Sequence, residues 1–155
     1  DIAKTEPAIL HALNSFIKDY GAIDIYAYLQ VTEPFRPKKI LDNCIENLIK
    51  DRKLDSSFAG YTMHKNFWEY RSKNKNFFLI NDKKNRYLPR QLKKPIYRED
   101  SGIALASRFS FLKQGSRIGK TIKIEPYSGL DGIIDIHKKI DILLAESILK
   151  LKKVY

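Results

Sequence analysis

Several features that would indicate a membrane, secreted or disordered protein are missing from this sequence. It has one cysteine, Cys44, which cannot form an internal disulfide, and this predicts a reducing, cytoplasmic compartment. No apolar run approaches the ~20 residues that cross a bilayer, and the polar N-terminus shows no signal-peptide pattern. With 155 residues, 43% of them hydrophobic, the chain is expected to form one globular domain with its own core.

Acidic residues are scarce in one stretch of the chain. The formal net charge is +11, and residues 65–98 contribute most of it, with eleven Lys and Arg against two acids. A concentrated positive charge implies an anionic partner, such as nucleic acid, polyphosphate or an acidic small molecule. A solvated surface is an equally good interpretation of the charge alone.

The apolar patterns predict an α/β domain with an insertion. Helices are predicted over residues 6–18, 40–49, 108–113 and 138–152, and strands or apolar runs over 23–29, 57–61, 102–106 and 121–124. Residues 62–98 are basic, Asn-rich and aromatic, which favours a projecting hairpin or small subdomain. The predicted division is therefore a core over 1–61, an inserted subdomain over 62–98 and a return to the core over 99–155. Cys44 lies on the apolar stripe of its helix, so we expect a core residue there.

Asp135, His137 and Asp141 mark the best candidate for chemistry. They lie where an apolar run, residues 133–136, passes into the last predicted helix. Residues two apart on an extended segment project to one face, and Asp141 follows about one helical turn later. Acidic groups at such a junction can hold a hard cation against phosphate oxygens, although acids in a first helical turn are also common for electrostatic reasons alone.

Three segments carry a family resemblance. Residues 29–36 read LQVTEPFR, similar to the loop LQPTSPLR that follows a core strand. The stretches PRQ at 89–91 and YREDSG at 97–102 resemble PRQ…P…(F/Y)R-x-N-G, and IDIHKKID at 134–141, with AE at 145–146, resembles IDIDxxxD…AE. In this order, over nearly the whole chain, they make the sequence resemble the acylneuraminate cytidylyltransferase family. These enzymes make CMP-activated nonulosonic acids such as CMP-sialic acid.

The resemblance implies a Rossmann-like mixed sheet of the nucleotidyltransferase type and a homodimer. The basic stretch would belong to the family's dimerisation subdomain, which accounts for its charge without a nucleic-acid or membrane partner. The implied reaction joins CTP and an acidic nine-carbon sugar, whose 2-hydroxyl attacks the α-phosphate and releases pyrophosphate. Positioning and charge neutralisation dominate catalysis of such a transfer.

The resemblance also implies a role for each matching residue. Arg90 and Arg98 would face the anionic groups of the substrates, since a guanidinium can grip a carboxylate or phosphate through two hydrogen bonds. Asp135 would act in catalysis and, with Asp141, would hold or orient Mg²⁺. The residues implied in binding the nucleotide or sugar are Gln30, Thr32 and Arg36.

The sequence departs from the family pattern in three places. His137 stands where a second Asp is usual, and imidazole is a poorer Mg²⁺ ligand than carboxylate, so we expect Asp135 to work with substrate phosphates and water. Asp100 and Ser101 stand where one Asn is usual. The basic, Gly-containing loop ARxGSKxxxxKN, which wraps the CTP phosphates in the family, has no counterpart. The chain is therefore expected to correspond to the C-terminal two-thirds of such an enzyme, and to bind CTP poorly alone.

Two other functions stay open. An RNA-binding module would use aromatic residues interleaved with the cations of the basic stretch, although no RNA-binding signature motif is present. A non-catalytic remnant would keep the fold and the dimer but have no CTP affinity.

Overall fold

The structure, a computed structural model, describes residues 4–81, 87–132 and 134–154, without the side chains of 131 and 152–154. Within that part, the helices are α1 (Thr5–Tyr20), α2 (Ile40–Lys50), α3 (Phe109–Lys113) and α4 (Lys139–Val154). The strands are β1 (Ile25–Tyr28), β2 (Ser56–Met63), β3 (Trp68–Arg71), β4 (Asn76–Leu79), β5 (Ile96–Glu99), β6 (Leu105–Arg108) and β7 (Ile122–Tyr127). No described helix is both long and apolar enough to cross a membrane.

Strand β2 organises a mixed, mostly antiparallel sheet. One of its edges pairs in parallel with β7. Its other edge pairs antiparallel with β6 near its start and with β5 near its end, and β1 pairs antiparallel with β6. Between β5 and β6, residues 100–104 form an excursion that leaves the strand pairing. Its two ends remain bonded to Ala59, since the N–H of Asp100 donates to the carbonyl of Ala59 and the N–H of Ala59 donates to the carbonyl of Ala104. This excursion provides one wall of the cavity described below.

Apolar positions that the sequence predicted pack α2 against the sheet and α1 against α3. Helix α2 buries Ile40, Cys44 and Leu48 against β2 and β6. The core position of Cys44 is confirmed, and burial raises the pKa of its thiol to about 11. A second cluster joins α1 and α3, with Phe109 and Leu112 buried beside the partly buried Ile9 and Leu13. Packing against these stripes, more than helix propensity alone, stabilises the helices.

The basic stretch contains a separate two-stranded antiparallel sheet of β3 and β4, in which Trp68 lies opposite Leu79. This agrees with the predicted hairpin. Strand β2 extends to Met63, however, and pairs there with Ile96, so the main sheet continues past the expected boundary at residue 62. The proposed limits of the subdomain stay a prediction.

The mixed α/β class is confirmed. The sheet is mostly antiparallel, and a Rossmann-like sheet of the nucleotidyltransferase type stays a prediction. Residue 133 lies outside the described residues, and 134–136 form no strand. Instead, the Ile136 N–H donates to the carbonyl of Thr32, at 2.8 Å, which ties this segment to the loop after β1.

Candidate functional site

One cavity of about 340 Å³ lies where the three family-like segments meet. Gln30 and Glu33 reach it from the loop after β1, residues 98–103 form another wall, and Asp135 lies on the approach to α4. The apolar cluster of Phe35, Ile134, Ala145 and Ile148 fixes the loop against α4. Packing thus brings together side chains that are about a hundred residues apart in sequence.

Arg36 holds the loop in place. Its Nε donates to the carbonyl of Ile103 at 3.0 Å, and its Nη2 donates to the carbonyl of Gln30. The backbone N–H of Gln30 in turn donates to the carbonyl of Gly102 at 2.8 Å. Because these carbonyls engage the guanidinium, the geometry supports a positioning role for Arg36. Its predicted role in ligand binding stays a prediction.

Gly102 leaves room for the side chains of Gln30 and Glu33 to lie against its backbone in the cavity wall. A Cβ at this position would overlap with both Glu33 Oε2 and Gln30 Oε1. Both oxygens therefore converge on the space that a larger residue would fill. Only glycine leaves that space open, so this position is set by close approach of neighbouring side chains.

Arg98 and Asp100 form an ion pair in the cavity wall. Arg98 Nε and Nη2 donate to the two oxygens of Asp100 at 2.7 and 2.8 Å, and Nη2 also donates to the carbonyl of Gly132 at 2.6 Å. The hydroxyl of Tyr127 donates to Asp100 Oδ2. The hydrogen bond to Asp100 raises the pKa of Arg98, while burial and then that same carboxylate raise the pKa of Tyr127. The guanidinium is thus kept charged, and three of its N–H groups are engaged before any ligand binds.

Glu33 is the most unusual group of the cavity. It is only 9% exposed, and its Oε2 is buried without a hydrogen-bond partner. Burial, followed by the carboxylates of Asp100 and Asp135, raises its pKa to about 7, against the opposite effect of Arg36 and Arg98. A buried carboxyl group without a donor is costly, and native proteins rarely keep one without a reason.

The predicted metal residues occupy two different environments. Asp135 lines the cavity and its Oδ2 lies 2.8 Å from His137 Nε2. Asp141 Oδ2 accepts the backbone N–H groups of His137 and Lys138 at 2.9 and 2.7 Å, and these hydrogen bonds lower its pKa. Asp141 therefore satisfies free N–H groups at the start of α4, as an acid in a first turn commonly does.

The fit to Mg²⁺ rests on Asp135. Among the described residues, no cluster of three or more His, Cys, Asp or Glu side chains is arranged to hold a metal ion. Mg²⁺ is, however, often bound by one or two carboxylates together with substrate phosphates and water. Asp135 fits such a role because its carboxylate borders the cavity and is about half exposed. The role of Asp141 as a ligand stays a prediction.

Arg90 borders a second cavity, of about 360 Å³, between β2 and the segment before β5. Lys65 and Lys93 also border it, and no acid is among its described lining residues. Tyr61, which lines the basic cavity, contacts Arg98 of the other cavity, whose guanidinium carbon lies 5.2 Å from the centroid of the Tyr61 ring. Arg90 and Arg98 thus line different cavities. Thr32 lines neither of them among the residues described, and contributes its carbonyl to Ile136.

Sequence reasoning missed Glu33, Tyr127 and Gly132 as parts of this site. Glu33 had a visible signal, because it stands where the motif LQPTSPLR has serine. Tyr127 and Gly132 had none, since their role comes from packing: a Cβ on Gly132 would overlap with the rings of Tyr61 and Tyr127. Such a contact cannot be inferred from local spacing.

Comparison of the sequence with models of known protein families gives no match, and comparison with curated proteins gives no significant match.

Proposed function

We propose that this chain provides the sugar-binding side of a cytidylyltransferase that activates a nonulosonic acid with CTP. The observation that carries the proposal is the convergence of Gln30, Arg98 and Asp135 on one cavity. Each residue comes from a different segment that resembles the acylneuraminate cytidylyltransferases. Apolar packing brings the three segments together, and a concave site with convergent polar groups is the usual place for a substrate.

The charges of the two cavities support a substrate with an anionic end and a hydroxyl-rich body. The basic cavity offers Lys65, Arg90 and Lys93, which suit a sugar carboxylate or a phosphate. The other cavity carries Glu33, Glu99, Asp100 and Asp135 against Arg98 alone, which suits hydroxyl groups and a bound cation. A nonulosonic acid has both kinds of group.

In the proposed reaction, the sugar 2-hydroxyl loses its proton to water and forms an O–P bond to the α-phosphate of CTP, while the bond from that phosphate to pyrophosphate breaks. Mg²⁺, when bound, would neutralise charge on the phosphates, with Asp135 as its protein ligand. Arg90 would orient the anionic end of the sugar, while Gln30 would contact its body. The protein contributes alignment and electrostatic stabilisation, which are the main sources of rate in phosphoryl transfer.

A pyrophosphate-release assay tests the proposal. The gene product that contains this chain would be incubated with CTP, Mg²⁺ and each member of a panel of nonulosonic acids. We expect release with at least one sugar, and about a 100-fold or greater loss of rate in Asp135→Asn. Asp42→Asn, an exposed carboxylate in the first turn of α2, is the matched control and should keep full activity. No release with any sugar would contradict the proposal.

A second candidate, RNA binding, is favoured by one observation. Trp68, Tyr70 and Phe77 are each about half exposed on the β3–β4 hairpin, within the basic stretch. Exposed aromatic rings beside cations are suited to base stacking. Binding of single-stranded RNA that weakens steeply with salt, and is lost in Tyr70→Ala, would favour this function over the enzyme.

The exposed aromatic surface of the β3–β4 hairpin also supports the homodimer that we propose, since exposed aromatic patches often mark protein interfaces.

A further inference from the structure

We propose that Glu33 determines the specificity of the acidic cavity, by accepting a hydrogen bond from an N–H or O–H donor on the bound sugar. This inference rests on the proposed function for the class of ligand, but on the geometry of Glu33 for the contact itself. It adds a residue that the family-like motifs do not contain, because the resembling loop has serine at this position.

The unpartnered oxygen is the first argument. Glu33 is more than nine-tenths buried, lines the cavity, and has no hydrogen-bond partner for Oε2. The nearby guanidinium groups direct their hydrogen bonds elsewhere, because Arg36 donates to two backbone carbonyls and Arg98 donates to Asp100 and Gly132. A ligand that enters the cavity can therefore supply the donor that no protein group directs at this oxygen.

A second acceptor points to the same place. Gln30 Oε1 and Glu33 Oε2 both occupy the space above Gly102. With the amide oxygen of Gln30 turned towards Glu33, the two oxygens are complementary to a group that can donate twice, or to two neighbouring donors. An amino group, or a pair of adjacent hydroxyls, has this property, whereas a deoxy or methyl substituent does not.

The surrounding charges indicate which part of the sugar would face Glu33. Asp100 and Asp135 lie close enough to act on Glu33, while the nearby guanidinium of Arg98 is already paired. An anionic group would be repelled from this end of the cavity. The carboxylate of the sugar is therefore expected at the other end, towards Arg90 and the basic cavity. Glu33 would then contact the body of the sugar and not its carboxylate.

Direct binding tests the inference without turnover. Calorimetry on the folded chain would compare N-acetylneuraminate, its analogue with a 5-hydroxyl in place of the acetamido group, and single-deoxy analogues along the carbon chain. The wild-type protein should lose about tenfold or more in affinity for at least one deoxy analogue, because Glu33 would be left buried and unpaired. Glu33→Gln should bind the parent sugar more weakly and no longer discriminate against that analogue.

The controls separate this inference from the proposed function. Glu46→Gln, an exposed glutamate on α2, should keep the wild-type profile. Far-ultraviolet circular dichroism and a cooperative melt would show that each variant is folded. An unchanged profile in folded Glu33→Gln, or no binding of any probe to the wild-type protein, would overturn the inference. Discrimination that depends on Glu33 in a protein without pyrophosphate release would uphold it and contradict the cytidylyltransferase proposal alone.

Discussion

Arg98 and Asp100 face each other through two parallel hydrogen bonds of 2.7 and 2.8 Å, with Asp100 buried and Arg98 about half exposed. The pair connects the end of β5 to the excursion that forms the cavity wall. Because the guanidinium also donates to Gly132, it joins three segments of the site. The Arg98–Asp100 ion pair therefore both lines the cavity and holds the segments of its wall together.

Asp100→Asn should destabilise the protein by about 1–3 kcal/mol, because Arg98 and Tyr127 would lose a charged acceptor in a buried position. Urea unfolding followed by circular dichroism measures this change. Glu69→Gln is the matched control, since it breaks the exposed ion pair with Arg71, which should contribute less than about 1 kcal/mol. Equal effects of the two substitutions would contradict the buried role of Asp100.

Glu33 should make stability fall as pH rises. Its pKa is raised from 4.5 to about 7, so the folded protein holds its proton more tightly than the unfolded chain. No penalty exists below about pH 4.5, and the penalty grows until the group is ionised above pH 7. Arg36 and Arg98 reduce this penalty, while Asp100 and Asp135 increase it.

Glu33→Gln removes the ionisation, and should therefore be more stable than the wild-type protein at pH 8 by about 1–2 kcal/mol, allowing for solvent screening. The difference should disappear near pH 4.5. Chemical unfolding at several pH values measures it. Glu46→Gln should show the opposite dependence, since Lys50 lowers the pKa of Glu46 and its contribution is lost as pH falls. A flat difference for Glu33→Gln would disagree with the buried environment.

Gly102→Ala should destabilise the protein by about 1–3 kcal/mol, because the new Cβ overlaps with Glu33 and Gln30. The double variant Gly102→Ala with Glu33→Ala should recover part of this loss, as the clash is then reduced. A double-mutant cycle of melting experiments gives the coupling. Ser101→Ala, one residue away, controls for general sensitivity of the segment. Strict additivity of the two substitutions would argue against the observed close approach.

Asp141 should act mainly on the start of α4. Asp141→Ala should lower the melting temperature, since two backbone N–H groups lose their acceptor, whereas Asp141→Asn should retain part of the effect. The lowered pKa of Asp141 means that its contribution to stability is present at neutral pH and is lost as pH falls through that pKa.

Mn²⁺ titration in the presence of CTP would show which of the two aspartates is a metal ligand. Asp135→Asn should abolish binding of Mn²⁺ to the protein. An equal loss in Asp141→Asn would show that Asp141 is a ligand as well.

The sequence predicted those parts of the fold that depend on local periodicity. The apolar stripes of α1 and α2 are visible in the residue spacing, and so is the burial of Cys44, whereas α4 buries Ile148 but leaves Ile140 and Leu143 exposed. The antiparallel pairing of the sheet was not predictable, because the order βαβ does not determine which strands meet. The excursion at 100–104 depends on two strands sharing one edge of β2.

The motifs suggested the residues of the candidate site, and the structure shows which of them lie together. Gln30, Arg98 and Asp135 meet as their order in the motifs suggests, but Arg90 borders a different cavity. Glu33 and Tyr127 act through burial, and burial of a particular polar atom depends on segments far apart in the chain. No local pattern carries that information, so a charged residue in a loop is read as exposed unless the structure is known.

The most direct test of the central claim is ³¹P NMR of CTP, Mg²⁺ and a nonulosonic acid incubated with the gene product that carries these residues. We predict a new phosphodiester signal from the CMP-sugar, with pyrophosphate in equal amount, and the loss of both in Asp135→Asn. CTP that stays intact with every sugar of the panel, in a folded protein, would contradict the account.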